Sequence, residues 1–228
     1  MYTVRLAETS KTYRVGKVVC LARNYSEHIR ELGNETPDKP VLFTKPSTSI
    51  IGDGETVVIP PYSKECHHEV ELAVLIGRWA KNVSVEDAME HVAGYGVAID
   101  LTLRDVQSEL KAKGLPWDVA KGFDTACPLS DFVPAANVPD PHNLAISLAI
   151  NNEMRQDSTT AYMMHKIPAI ISFASSIFSL EEGDVILTGT PAGVGPVRSG
   201  DRMRATIEHV ANAGRTFLME YDPCICQW

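Results

Sequence analysis

The chain has 228 residues, an ordinary globular composition and a formal net charge of −8. No apolar run approaches the length of a membrane span, and the acidic balance without any basic block argues against nucleic acid or an anionic membrane as partner. An acidic protein that binds small anions needs local positive charge, from a metal ion or from a few placed Lys and Arg.

The N-terminal residues lack the apolar core of a signal peptide and the Arg/Ser-rich character of a transit peptide. Five scattered cysteines (Cys20, Cys66, Cys127, Cys224 and Cys226) form no CxxC pair and no zinc spacing, which points to reduced thiols in a cytoplasmic setting. Cys224-Ile225-Cys226 reads as part of a tail of no catalytic importance, with a metal or redox pair as the alternative.

In chain order, strand-like runs cover Lys17–Ala22, Val41–Thr44, Thr56–Ile59, Val70–Ile76 and Tyr95–Ile99. Further ones cover Ala145–Asn151, Asp184–Thr188, Arg202–Glu208 and Thr216–Tyr221. A short helix is predicted over Ser26–Leu32, closed by Gly33. Another starts at Ser84, where Ser84-Val85-Glu86-Asp87 resembles a capping box, and a third runs from Thr102 to Gly114. The longest candidate spans Thr159–Ser179, where Pro168 should end or kink it. Strands and helices do not alternate regularly, so a β-rich α+β fold fits better than a doubly wound sheet.

Glu69 and Glu71 stand one residue apart at the start of the Val70–Ile76 strand, so both carboxylates point the same way. On a solvated edge strand such a pair is unexceptional. Here Leu72–Ile76 is apolar on both faces, which marks a buried strand where unpaired carboxylates are expensive. A cation between them resolves the conflict, and oxygen ligands without a cysteine cluster favour Mg²⁺ or Mn²⁺. Asp100, at the end of the apolar run Gly94–Ile99, is placed either to supply a third oxygen or to cap the following helix.

His28 and Glu31, three apart on one helix face, form either a base with its orienting carboxylate or a chance surface pair. Arg104 and Gln107 share the helix after Asp100, and Lys121 follows; beside a cation they could hold a substrate carboxylate. Asp184–Pro196 is a strand entering a Gly/Pro loop that offers backbone N–H groups and the Thr190 hydroxyl to an anion, or that serves only to reverse the chain. It is not a phosphate-binding Walker loop, and Gly94-Tyr95-Gly96 lacks the third glycine of a dinucleotide fingerprint.

Together these segments resemble the fumarylacetoacetate hydrolase family, most closely its acylpyruvase / oxaloacetate decarboxylase branch. The matching pieces are Arg23-Asn24-Tyr25-Ser26-Glu27-His28, Pro40–Pro46, His67–Leu72, Asp100–Gln107, Gly114–Trp117 and Leu187–Pro196, in the family's order. The usual Gly-Arg-Asn-Tyr is replaced by Ala22-Arg23-Asn24-Tyr25. The resemblance implies a mixed β-roll of the family's C-terminal-domain type, over 17–221 between an extension (1–16) and a tail (222–228). It also implies a homodimer with one catalytic Mg²⁺ or Mn²⁺ per chain.

By the same resemblance Glu69, Glu71 and Asp100 are the metal carboxylates, and His28 and Glu31 the water-activating dyad. Lys121, Gln107 and Thr190 match substrate-contacting positions, with Arg104 a further candidate, and Lys121 joins the dyad as a catalytic residue that stabilises the departing enolate. His67 and His68 are expected beside the metal rather than on it. The implied reaction is cleavage of an acylpyruvate, a small anionic 2-oxo acid, to pyruvate and a carboxylic acid. Oxaloacetate decarboxylation at the same site is the alternative, followed by an isomerase or decarboxylase of ring-cleavage products. A metal-dependent binding protein without turnover would have no need of the His28/Glu31 pair, and a zinc hydrolase lacks its HExxH motif.

Overall fold

The computed structural model describes residues 2–33, 35–209 and 217–221. The chain begins with β1 (Thr3–Arg5), β2 (Thr12–Arg14), β3 (Lys17–Ala22), α1 (Ser26–Glu31), β4 (Val41–Pro46), β5 (Ile50–Ile51) and β6 (Cys66–His68). Its middle supplies β7 (Val70–Ile76), β8 (Val92–Ile99), β9 (Thr102–Leu103), α2 (Arg104–Ala112), α3 (Asp118–Lys121), β10 (Cys127–Pro128) and β11 (Val133–Pro134). The last part comprises β12 (Leu144–Ile150), β13 (Glu153–Thr159), α4 (Ile167–Ile177), β14 (Val185–Leu187), β15 (Gly195–Val197), β16 (Met203–His209) and β17 (Phe217–Tyr221).

Six strands make a mixed central sheet in the order β11-β8-β7-β14-β3-β4, in which only β14 and β3 run parallel. β7 is buried along its whole length because both faces of this sheet are covered. Val70, Leu72, Val74 and Ile76 point into one core, closed by the four-stranded sheet β13-β12-β16-β17 and by Ile167, Ile170 and Ile171 of α4. Ala73 and Leu75 point into the other, which the β1–β2 hairpin closes with Val4 and Tyr13. Residues 1–16, set apart in the sequence, thus supply part of the second core. The expected strand-rich α+β architecture is the one observed. Among the described residues no helix is long and apolar enough to cross a membrane. Cys20, Cys66 and Cys127 are free and buried, whereas Cys224 and Cys226 lie outside the described residues.

Four expected elements come out differently. Thr56–Ile59 joins no sheet; the Val58 N–H donates to Thr125 Oγ1 at 2.9 Å instead of to a neighbouring strand. The Ser84 hydroxyl does accept from the Asp87 N–H at 3.2 Å, yet only a short 3₁₀ turn (Ala88–His91) follows. The long helix from Thr159 does not form. Residues 153–159 are a strand paired with β12, and α4 starts at Ile167 with Pro168 in its first turn, where the missing N–H is no loss. Likewise α2 begins at Arg104, since Thr102 and Leu103 pair with β6.

Leu72 is fully buried in the core between the two large sheets. Leu72→Ala is expected to lower unfolding free energy by about 2–5 kcal/mol in urea titrations. A loss below about 1 kcal/mol would show that this core can collapse around the cavity.

Candidate metal centre and catalytic cleft

Strand register brings the three acids together. Val70 pairs with Ile99, and the Asp100 N–H donates to the Glu69 carbonyl at 2.8 Å, so Glu69 lies across from Asp100. Opposed residues of an antiparallel pair share a face, and Glu71 is two residues further along that face. One oxygen from each of Glu69, Glu71 and Asp100 lies within 4.8 Å of the others, and all three side chains are buried.

Three cations surround the acids. Lys121 Nζ donates to Glu69 Oε2 at 2.8 Å and to Asp100 Oδ2 at 2.6 Å. Arg104 Nη2 donates to Glu69 Oε1. Lys45, fully buried on β4, lies 2.8 Å from Asp100 Oδ1, but its ammonium donates to the carbonyls of Leu101, Lys121 and Ala126. An ammonium has three protons, so Asp100 Oδ1 receives charge contact without a hydrogen bond and remains an unsatisfied buried acceptor. Among the described residues Glu71 has no cation at hydrogen-bond distance. Its Oε2 accepts from the Gly189 N–H at 2.6 Å.

These placements split the carboxylates. Burial alone would raise Glu69, but Lys121 and Arg104 outweigh it and hold the group well below the usual carboxylate range. Burial pushes Glu71 far up, and the adjacent Asp100 and Glu69 charges push it further. Burial would also lower Lys121, yet Asp100 and Glu69 more than reverse this and keep it charged. An orphaned Asp100 oxygen, a Glu71 with a backbone N–H but no cation at hydrogen-bond distance among the described residues, and a Glu69 held ionised make an all-oxygen donor set that fits one hard divalent cation.

The other expected site residues gather around the acids. His28, Arg104, Gln107, Lys121 and Thr190 line one cleft with Glu69, Glu71 and Asp100, while Glu31 is not among its lining residues. His28 Nδ1 is 3.3 Å from Glu31 Oε2, and Glu31 Oε1 accepts from the Gly193 N–H at 3.0 Å. Gly193 has φ +97°, and a Cβ there would lie 2.3 Å from the Arg155 carbonyl, so only glycine fits this clamp. Arg104 Nη1 donates to Gln107 Oε1 at 2.7 Å, leaving the Gln107 amide N–H groups available to a ligand. The two histidines do flank the acids. His67 Nδ1 receives Arg104 Nε at 3.4 Å, and His68 Nδ1 turns away to Gln156 Oε1 at 2.9 Å.

Some participants were not singled out from the sequence. Lys45 lies inside the family-like Pro40–Pro46 segment, and a lone lysine in an apolar strand is the signal that could have found it. Phe43 and Trp117 pack edge to face, ring centres 6.1 Å apart, as an apolar wall, and Lys121 Nζ lies 4.9 Å from the Phe43 ring centre. Gln156 carried no signal.

Residues 17–217 match the fumarylacetoacetate (FAA) hydrolase C-terminal family, and the chain belongs to it. Among individual relatives, the chain is 51% identical over 197 residues to oxaloacetate tautomerase YcgM of Escherichia coli K12, covering 86% of this chain and 90% of that one. It is 50% identical over 202 residues to the mitochondrial oxaloacetate tautomerase FAHD1 of Bos taurus, with 88% and 91% covered. Among solved structures, the fumarylpyruvate hydrolase of Pseudomonas aeruginosa in complex with Mn²⁺ and pyruvate superposes with a TM-score of 0.91 at 31% identity, covering 99% and 96%.

A carboxyl raised by burial is protonated in the metal-free protein at pH values where an ordinary glutamate is ionised, whereas cation binding requires the carboxylate. Mn²⁺ binding is therefore expected to release about one proton at mildly acidic pH, and less as pH rises through the Glu71 pKa. Calorimetry in buffers of different ionisation enthalpy measures this. Glu71→Gln should abolish the release, and an unchanged proton count in that variant would remove Glu71 from the site.

Proposed function

We propose that this chain is a divalent-metal-dependent enzyme that acts on oxaloacetate by enolate chemistry, interconverting its keto and enol forms, with decarboxylation of the keto form to the pyruvate enolate as a second outcome at the same site. The observation that carries this reading is the charge balance of the cleft. Three buried carboxylates face Lys45, Lys121 and Arg104, so a divalent cation leaves an excess of two positive charges. Arg23 and Lys111 also line the cleft. Such a site suits a doubly negative 2-oxo diacid. The tautomerase relatives, about half identical to this chain, support the same substrate. Oxaloacetate therefore takes precedence over the acylpyruvate hydrolysis that the sequence resemblance put first.

A Mg²⁺ or Mn²⁺ held by Glu69, Glu71 and Asp100 would supply Lewis-acid polarisation of the 2-oxo group. The protein's own groups handle the proton and the charge. With Nδ1–H directed to Glu31, His28 keeps its Nε2 lone pair for a proton on C3 of the substrate. Lys121 uses two of its three N–H bonds on Glu69 and Asp100, and the third is free to donate to the developing enolate oxygen. Return of the proton to carbon or to oxygen completes the interconversion. In the keto form, breaking the C3–C4 bond releases the C4 carboxylate as CO₂ and leaves its electron pair in the enolate of pyruvate, which the same ammonium stabilises.

Hydrolysis of a 2,4-dioxo acid is the second reading, favoured by the His28–Glu31 pair, which would equally activate a water, and by the fumarylpyruvate hydrolase likeness. The two readings separate in a panel of oxaloacetate, acetylpyruvate and fumarylpyruvate assayed with Mg²⁺ or Mn²⁺ and ranked by kcat/KM. Oxaloacetate enol–keto interconversion is expected to lead, and acylpyruvate cleavage ranking first would reverse the assignment. Lys121→Met should lower kcat on oxaloacetate by roughly 10²-fold or more, and an unchanged kcat would remove the ammonium from the mechanism.

A further inference from the structure

We propose that Gln156 is a positioning residue that fixes the Thr190 hydroxyl as a hydrogen-bond donor toward the carboxylate of the bound substrate. The substrate half of this inference rests on the functional reading above; the polarity half rests on geometry alone.

Gln156 is the only buried residue of β13, a strand otherwise mostly polar and largely exposed. Its amide reaches out of the four-stranded sheet to the carboxylate strand. Oε1 accepts from the Val70 N–H at 3.0 Å and from His68 Nδ1 at 2.9 Å, while Nε2 donates to Thr190 Oγ1 at 2.8 Å and to the Pro191 carbonyl at 2.9 Å. Both acceptor and both donor positions of the amide are filled.

Backbone groups dictate which way this amide faces. An N–H can only donate and a carbonyl can only accept, so Val70 requires the oxygen on its side and Pro191 requires the nitrogen on the other. Two consequences follow. His68 carries its proton on Nδ1, because a carbonyl oxygen faces it. Thr190 Oγ1 is an acceptor toward Gln156, so its single proton must point elsewhere, and Thr190 lines the cleft beside Glu71 and Lys121. A hydroxyl polarised in this way suits a carboxylate oxygen and discriminates against a ligand N–H. The same amide ties the 190–191 loop to Val70, the residue between Glu69 and Glu71, so the substrate contact and the metal strand keep a fixed spacing.

Pyruvate binding to the Mn²⁺-loaded protein, followed by calorimetry, tests this. Thr190→Val should weaken binding roughly 10- to 100-fold, as for loss of one hydrogen bond to a charged group. Thr190→Ser, which keeps the hydroxyl, should stay within about twofold. Gln156→Met should weaken binding about as much as Thr190→Val, and the double variant no more than Thr190→Val alone. Gln156→Glu is the second variant if Gln156→Met fails to fold: it keeps the acceptor for Val70 but removes the donor facing Thr190, and it should weaken pyruvate at least as much.

Losses that multiply in the double variant would mean that Gln156 acts independently of Thr190, which overturns the proposal. So would wild-type affinity in Thr190→Val or in a folded Gln156 variant. Failure of the wild-type protein itself to bind pyruvate would overturn the functional reading, and the proposal with it.

Discussion

Three carboxylates that converge in a buried pocket repel one another, and this repulsion governs how the rest of the molecule is arranged. Glu69, Glu71 and Asp100 are each at most 5% exposed, so water does little to screen them. The fold answers with charge rather than with solvent. Lys121 bridges Glu69 and Asp100, Arg104 holds the outer oxygen of Glu69, and Lys45 supports Asp100 from behind. What these cations leave unsatisfied is confined to Asp100 Oδ1 and the raised Glu71 carboxyl. That remainder is what a hard divalent cation could take up.

The architecture keeps the acids and their partners at fixed distances. β7 and β8 are antiparallel neighbours covered on both faces, so the ends that carry Glu69 and Asp100 are held by cores above and below. The chain then returns over the acids at once. β9, α2 and α3 follow Asp100 within about twenty residues and deliver Arg104, Gln107 and Lys121 to the same cleft. The opposite wall comes from distant segments: α1 brings His28, and the loop after β14 brings Thr190 and the Gly193 N–H that steadies Glu31. Catalysis by this arrangement would draw on electrostatic preorganisation, since the charges that meet an enolate are already placed and dry.

Much of this was legible in the sequence because it depends on local period and spacing. The alternation of Glu69 and Glu71 on an otherwise apolar strand gave both the strand and its shared face, and β7 occupies Val70–Ile76 as expected. Asp100 could be read as ligand or as helix cap; register decides for the acid cluster, because it faces Glu69 and caps nothing in α2, which begins at Arg104. β13 escaped for a physical reason. Its side chains are mostly exposed and polar, so no hydrophobic period marks it, and what fixes it is pairing with β12 through a turn in which Asn151 and Asn152 adopt φ of 52° and 66°. Missing that strand also concealed Gln156, whose partners are more than thirty residues away. Lys45 was hidden in the same way, since its value lies in carbonyls that only the folded chain brings together.

The central claim is that the three acids hold one divalent ion between them, and anomalous diffraction from crystals grown with Mn²⁺ tests it most directly. A single strong peak at about 2.0–2.3 Å from an oxygen of each of Glu69, Glu71 and Asp100 is the expected result. Lys121 would then be found shifted onto the outer oxygens, still charged. No peak between the acids at saturating Mn²⁺, with the Lys121 bridge intact, would contradict the account.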